Sequence, residues 1–146
     1  MNYECIKATK DDISLLKKYK MQTILGESNL PCEEIDRIKS YIEKHVPEQL
    51  EDYKIIRVDG KKVGCLLVQN REDGTILDEI YLEDDYRNKG IGTDIIKKVI
   101  KDNGAVYLWV YKTNSKARKL YEKLGFVIVD KTESRYRMKC ESTSQF

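Results

Sequence analysis

Two prolines, one histidine and one tryptophan in 146 residues already close off several kinds of protein. With His45 as the sole histidine, and with Cys5, Cys32, Cys65 and Cys140 showing no paired ligand spacing, a zinc centre lacks ligands and no metal is expected. The cysteines read as reduced thiols, some buried as small apolar residues. No apolar run approaches the roughly 20 residues that span a bilayer. The start, Met1-Asn2-Tyr3-Glu4-Cys5, has neither the basic nor the apolar region of a signal peptide, so a cytoplasmic location with no membrane partner is expected. The net charge is only +2 and no nucleic-acid-binding motif is present, which argues against a nucleic-acid partner. There is no internal repeat, and the length suits one domain with one core.

The charge that is present is unevenly spread. Residues 86–123 hold ten Lys/Arg against three Asp/Glu, whereas residues 20–55 hold five against eight. The basic half suits a multiply anionic ligand, although most individual lysines on helices simply face water. Apolar spacing gives the elements. Ile6 and Ala8 mark a short strand. Thr9-Lys10-Asp11-Asp12 offers N-caps for a helix through about Leu25, broken at Gly26-Glu27-Ser28-Asn29-Leu30-Pro31. A second helix starts near Glu33, carries Ile35, Ile38, Tyr41 and Ile42, and stops near Pro47. Strands Tyr53–Val58 and Lys62–Val68 flank an Asp59-Gly60 turn, and another strand covers 75–82. Further on come a helix ending near Asn103-Gly104, a strand Ala105–Tyr111, a helix opened by Asn114 and ended by Gly125, and strands Phe126–Val129 and Arg135–Met138. The order β-α-α-β-β-β-α-β-α-β-β implies an α/β fold of mixed α+β type over residues 1–140, with a central, mostly antiparallel mixed sheet flanked by helices. Residues 141–146 read as a frayed tail.

The most informative stretch is Arg87-Asn88-Lys89-Gly90-Ile91-Gly92. A strand-like run, Ile76-Leu77-Asp78-Glu79-Ile80-Tyr81-Leu82, precedes it, and helix-period apolar residues Ile91, Ile95, Ile96, Val99 and Ile100 follow. Strand, basic glycine turn and helix start together make a pyrophosphate site, because free first-turn N–H groups and the positive dipole end meet the anion. A Walker loop is excluded by spacing, and a dinucleotide fingerprint by Ile95, which stands where its third glycine belongs. The turn resembles Arg/Gln-x-x-Gly-x-Gly/Ala, the pyrophosphate loop of the GCN5-related N-acetyltransferases. Downstream, Asn114-Ser115-Lys116-Ala117-Arg118-Lys119-Leu120-Tyr121-Glu122-Lys123-Leu124-Gly125-Phe126 is similar to that family's Asn-x-x-Ala-x-x-x-Tyr-x-x-x-Gly-Phe block. The chain departs from the family at Asn88, often glycine there, at Asp84, often proline, and at Ile76, where several members carry a catalytic glutamate.

The resemblance implies an acetyl-CoA-dependent N-acetyltransferase of this GNAT fold, in which an amine attacks the thioester directly in a ternary complex. It implies cofactor contacts from Ile80, Tyr81 and Leu82, from Arg87, Asn88, Lys89, Gly90, Ile91, Gly92 and Thr93, and from Asn114. Tyr121 stands at the family's acid position, where the phenol reaches the coenzyme sulfur; the plain alternative is one more apolar residue beside Leu120 and Leu124. An amine with a reference pKa near 10.4 must lose a proton at a cost of roughly 4.6 kcal/mol at neutral pH, so a base is needed. Asp78 is the choice, two residues after Ile76 and so on the same side of a regular strand, with Glu79 opposite; a solvated or salt-bridged carboxylate is the alternative. Asn114 also reads as an N-cap, Trp109 as core or a wall of the acceptor slot, and His45 as favourable in a helix's last turn. Glu27, Glu33, Glu34 and Asp36 hint at a cationic acceptor, such as a polyamine, an aminoglycoside or a lysine side chain, though helix starts favour acidic residues anyway. Monomer and homodimer both remain open, and a non-catalytic acyl-CoA-binding regulatory domain is the rival function.

Overall fold

The computed structural model describes residues 2–25 and 30–142. The break expected at Gly26-Glu27-Ser28-Asn29 and residues 143–146 of the expected tail lie outside that set. The elements run β1 (Tyr3–Lys7), α1 (Ile13–Leu25), α2 (Cys32–Glu48), β2 (Tyr53–Val58), β3 (Lys61–Arg71), β4 (Gly74–Leu82), α3 (Ile91–Asn103), β5 (Ala105–Tyr111), α4 (Ser115–Lys123), β6 (Val127–Lys131) and β7 (Arg135–Glu141). This is the succession read from the sequence. Seven strands form one sheet in the order β1-β2-β3-β4-β5-β7-β6. β1–β2, β2–β3, β5–β7 and β6–β7 pair antiparallel, while β4 and β5 run parallel with Ile76 in register with Tyr107. The class is therefore the mixed, mostly antiparallel α/β arrangement expected.

Contacts cluster into two units, one reaching Leu67 and including Glu79–Tyr86, the other comprising Val68–Asp78 and everything from Arg87 on. In the first, Leu16 and Tyr19 of α1 and Ile42 and Val46 of α2 bury against Tyr53, Ile55, Cys65 and Leu67. A short 3-10 turn at Lys10–Asp12 leads into α1. There the Thr9 N–H donates to the Asp12 carboxylate at 2.9 Å, and Lys62 pairs with it at 2.6 Å. α2 runs one residue past Pro47 to Glu48, and the missing N–H of Pro47 fits a helix that ends there. Asp59 and Gly60 have φ of 51° and 82°, the left-handed pair whose twist matches a two-residue hairpin.

In the second unit Ile91, Ile95, Ile96, Val99 and Ile100 are all buried, as the helical spacing demanded, and α3 packs on β5. Alternation then sorts β5: Val106, Leu108 and Val110 are buried, and Tyr107, Trp109 and Tyr111 occupy the opposite face. β7 continues beyond the expected Met138 to Glu141, which pairs with Ala105, and the Ser142 N–H donates to the Gly104 carbonyl at 2.7 Å. The tail expected from residue 141 thus begins with two hydrogen-bonded residues.

Candidate active site

The turn before α3 has the backbone an anion site requires. Asn88 and Gly90 both lie in the left-handed region, with φ of 61° and 85°. Asparagine is among the few side chains that tolerate this region, which accounts for a non-glycine residue at Asn88. At Gly90 a Cβ would meet nothing within 4 Å, so glycine serves the backbone's direction there rather than its clearance. The Asp94 N–H closes the first turn on the Gly90 carbonyl at 3.0 Å. The N–H groups of Ile91, Gly92 and Thr93 therefore have no acceptor within the helix. Arg87, Asn88 and Lys89 are exposed beside them. In the same unit, a groove of about 750 Å³ is lined by Thr93, Lys97, Ile100 and Lys101 of α3 and by Leu120, Lys123, Leu124 and Ser142. An apolar floor edged by three ammonium groups favours an anionic amphiphile.

Asn114 caps α4, its Oδ1 accepting from the Ala117 N–H at 3.2 Å. About two turns later Tyr121 is half-buried, its ring edge-on to Phe126 at 5.6 Å. Burial pushes the Tyr121 phenol above its ordinary pKa, so the proton stays on at neutral pH. Among the described residues its hydroxyl has no hydrogen-bond partner. A protonated, unengaged phenol has a proton to give, and burial makes it a weaker donor than a phenol in water.

The strand end lies in the first unit. Ile80 and Tyr81 are half-buried and Leu82 is buried. A Cβ on Gly64 would come within 2.0 Å of the Tyr81 carbonyl oxygen, so only glycine lets the backbones of β3 and the end of β4 approach so closely. Tyr81 stacks on Tyr19 at 4.8 Å. The Tyr19 hydroxyl donates to Glu83 at 2.7 Å, and burial followed by the Glu83 charge pushes the phenol well up.

The two neighbouring carboxylates of β4 part company. Asp78 is exposed and sits 3.6 Å from Arg71. Glu79 is 5% exposed; it accepts from the Tyr53 hydroxyl at 2.7 Å and from the Cys65 thiol at 3.2 Å, and lies 3.3 Å from the Lys20 ammonium. Burial, then the Glu79 charge, raises the Cys65 thiol, which is therefore no ready nucleophile. Sequence reading passed over this network. The signal was available, because Lys20 falls four residues after Leu16 on the buried stripe of α1, and Glu79 alternates with Leu77 and Tyr81.

A model of the acetyltransferase (GNAT) domain matches residues 50–128, more than half of the chain. The protein belongs to the GNAT acetyltransferase family. Among curated relatives, an uncharacterized N-acetyltransferase of Methanocaldococcus jannaschii is 28% identical over 136 residues, covering 85% of this chain and 60% of that protein. Spermidine N(1)-acetyltransferase of Escherichia coli K12 is 30% identical over 106 residues, covering 67% of this chain and 57% of that enzyme. The chain thus spans about three fifths of the length of these relatives. The PaiA N-acetyltransferase of Thermoplasma acidophilum, solved in complex with coenzyme A, superposes with a TM-score of 0.79 at 22% identity, over 97% of this chain and 99% of that one. Among the described residues no helix is long and apolar enough to cross a membrane.

Proposed function

We propose that this chain is a cytoplasmic enzyme that transfers the acetyl group of acetyl-CoA to a primary amine by direct attack in a ternary complex. The observation that carries this reading is the paired left-handed geometry of Asn88 and Gly90 leading into the open first turn of α3. It meets the requirement of a pyrophosphate for converging N–H donors. On this reading Arg87, Asn88, Lys89, Gly90, Ile91, Gly92 and Thr93 hold the diphosphate, Ile80, Tyr81 and Leu82 the pantetheine arm, and Asn114 contributes at the start of α4. Acetyl-CoA supplies the activated thioester. The Leu82 N–H donates to the thioester oxygen as negative charge develops there, Tyr121 gives its proton to the departing sulfur, and Asp78 takes the proton of the attacking amine.

Glu33 and Glu34 carry little weight for a cationic acceptor, since both are exposed in the first turn of α2, where the helix dipole favours acid regardless. The rival, a non-catalytic acyl-CoA-binding domain, draws on Ile76, which is 2% exposed and offers no base. Release of coenzyme A thiol, followed over a panel of polyamines, aminoglycosides, amino acids and peptides, separates the two. Amine-dependent turnover supports the enzyme, and acetyl-CoA binding without turnover on any amine supports the rival. Tyr121→Phe is expected to lower kcat about 10²-fold with little change in acetyl-CoA affinity; an unchanged kcat removes Tyr121 from the acid role.

A further inference from the structure

One face of the β5–β7 ribbon gathers hydrogen-bond donors that no other described residue satisfies. Alternation puts Trp109 and Tyr111 on the same side of β5, and the antiparallel register sets Arg135 directly across from Tyr111 and Arg137 across from Trp109. Side chains directly opposite in such a pair share a face. The guanidinium carbon of Arg135 lies 4.8 Å over the Trp109 ring. Its neighbours are already occupied: Arg137 pairs with Asp73 at 3.2 Å and stacks on Tyr107, and Lys139 pairs with Glu141 at 3.3 Å. Arg135 is different. Among the described residues no carboxylate pairs with its guanidinium, and neither the Trp109 indole N–H nor the Tyr111 hydroxyl has a hydrogen-bond partner. Arg135 and Trp109 are half-buried, and Tyr111 is 57% exposed.

Arg135 is also held in place. The Arg135 N–H donates to the Thr132 hydroxyl at 3.0 Å, and the Thr132 N–H returns to the Arg135 carbonyl at 2.8 Å, closing the turn between β6 and β7. The Lys112 N–H donates to the Ser134 carbonyl at 2.9 Å, tying the end of β5 to that turn. A guanidinium over a ring still has N–H donors that the ring does not engage, and the guanidinium fork matches a carboxylate bidentately. The indole N–H and the phenol add donors and no formal charge.

We infer that Arg135, Trp109 and Tyr111 form a subsite for a carboxylate, so that the acceptor is an amine that also bears a carboxylate group, as a free amino acid does. This deepens the acetyltransferase reading and rests on it. It also sets the acceptor apart from a polyamine, which has nothing to offer these donors.

Trp109 is the only tryptophan, so its fluorescence reports on this patch without turnover. Titration with L-lysine and with cadaverine, which differ by the carboxylate alone, isolates the group in question. Lysine is expected to perturb Trp109 at a concentration about tenfold or more below that needed for cadaverine, the scale of a charge-assisted hydrogen-bond pair. Arg135→Gln should bring the two amines together, and Arg135→Lys, which keeps the charge but not the fork, should restore part of the difference. Where either amine is acetylated, the same difference is expected in KM rather than kcat. An equal response to the two amines, absence of any response included, overturns the subsite, as does a difference that survives Arg135→Gln. Calorimetry of acetyl-CoA with the unsubstituted chain tests the acetyltransferase reading separately. Its failure sinks that reading while the lysine–cadaverine difference still decides whether the carboxylate site exists.

Discussion

Lys20 and Glu79, in the unit built on α1 and α2, are 8% and 5% exposed, whereas Lys97, Lys101 and Lys123, in the unit built on α3 and α4, face solvent. The first set is neutralised within the chain. Lys20, Tyr53, Cys65 and Glu79 satisfy one another, and Asp12 is held by Lys62 and by Thr9. The second set surrounds a loop and a groove whose donors point outward. Buried charge must be paired to be tolerated at all, so it serves the fold. Exposed donors arranged on left-handed backbone cost strain and gain nothing until an anion arrives. The contrast separates residues that satisfy one another inside the fold from residues that, on the proposed reading, receive the cofactor.

The largest expected effect breaks the second half of that contrast. Gly90→Glu places a β-carbon at φ of 85° and a negative charge against the anion site. Acetyl-CoA binding by calorimetry should fall below detection, while the far-ultraviolet circular dichroism keeps the parent shape. Retained binding removes the loop from the site. The matching test in the first unit is Glu79→Gln, which strands the Lys20 ammonium inside the core and should cost roughly 3–5 kcal/mol in urea unfolding. Adding Lys20→Met to it should recover much of that loss, since an apolar replacement needs no partner. One residue away, Asp78→Asn should change stability by less than about 0.5 kcal/mol, because its contact with Arg71 is solvent-exposed. If Asp78 is the base, its activity loss appears against that unchanged stability. Equal destabilisation by the two substitutions erases the distinction drawn between them.

The order of elements was legible because each carries its own period: helical spacing in Ile91, Ile95, Ile96, Val99 and Ile100, and alternation from Ala105 to Tyr111. The left-handed turn before α3, proposed to hold the pyrophosphate, was legible because glycine at Gly90 has a backbone reason that leaves a mark in the sequence. Harder to see were contacts made across the chain. Nothing local announces that Lys20 meets Glu79 across 59 positions of sequence, or that Gly64 must be glycine because the Tyr81 carbonyl lies over it. That Arg135 has no carboxylate partner among the described residues was likewise invisible, since it depends on which of Arg135, Arg137 and Lys139 the register of β7 hands to Asp73 and Glu141. Burial misled in one place, at the C-terminus, where polar composition suggested fraying from Glu141 but sheet register with Ala105 extends β7 through it.

The smallest effect concerns acid, and it compares one carboxylate from each unit. At Asp12 burial works against the charge, yet the Lys62 ammonium and the Thr9 N–H prevail and hold the carboxyl below its usual 3.8. At Asp73 the Tyr107 hydroxyl donates at 2.8 Å and Arg137 adds its charge, again lowering the carboxyl, but on an exposed side chain. Both folded values lie below the unfolded one, so each contribution to stability is complete above about pH 4 and drains away as the pH falls through the folded value. Urea midpoints measured from about pH 5 down to about pH 2 should therefore decline in the parent chain. Asp12→Asn should lower the midpoint at the upper end and flatten the decline, and Asp73→Asn should do both less, because solvent screens an exposed pair. Curves for Asp12→Asn that run parallel to the parent across this range would show that the buried carboxylate adds nothing that protonation can remove, and the hidden charge of the first unit would then owe its place to geometry alone.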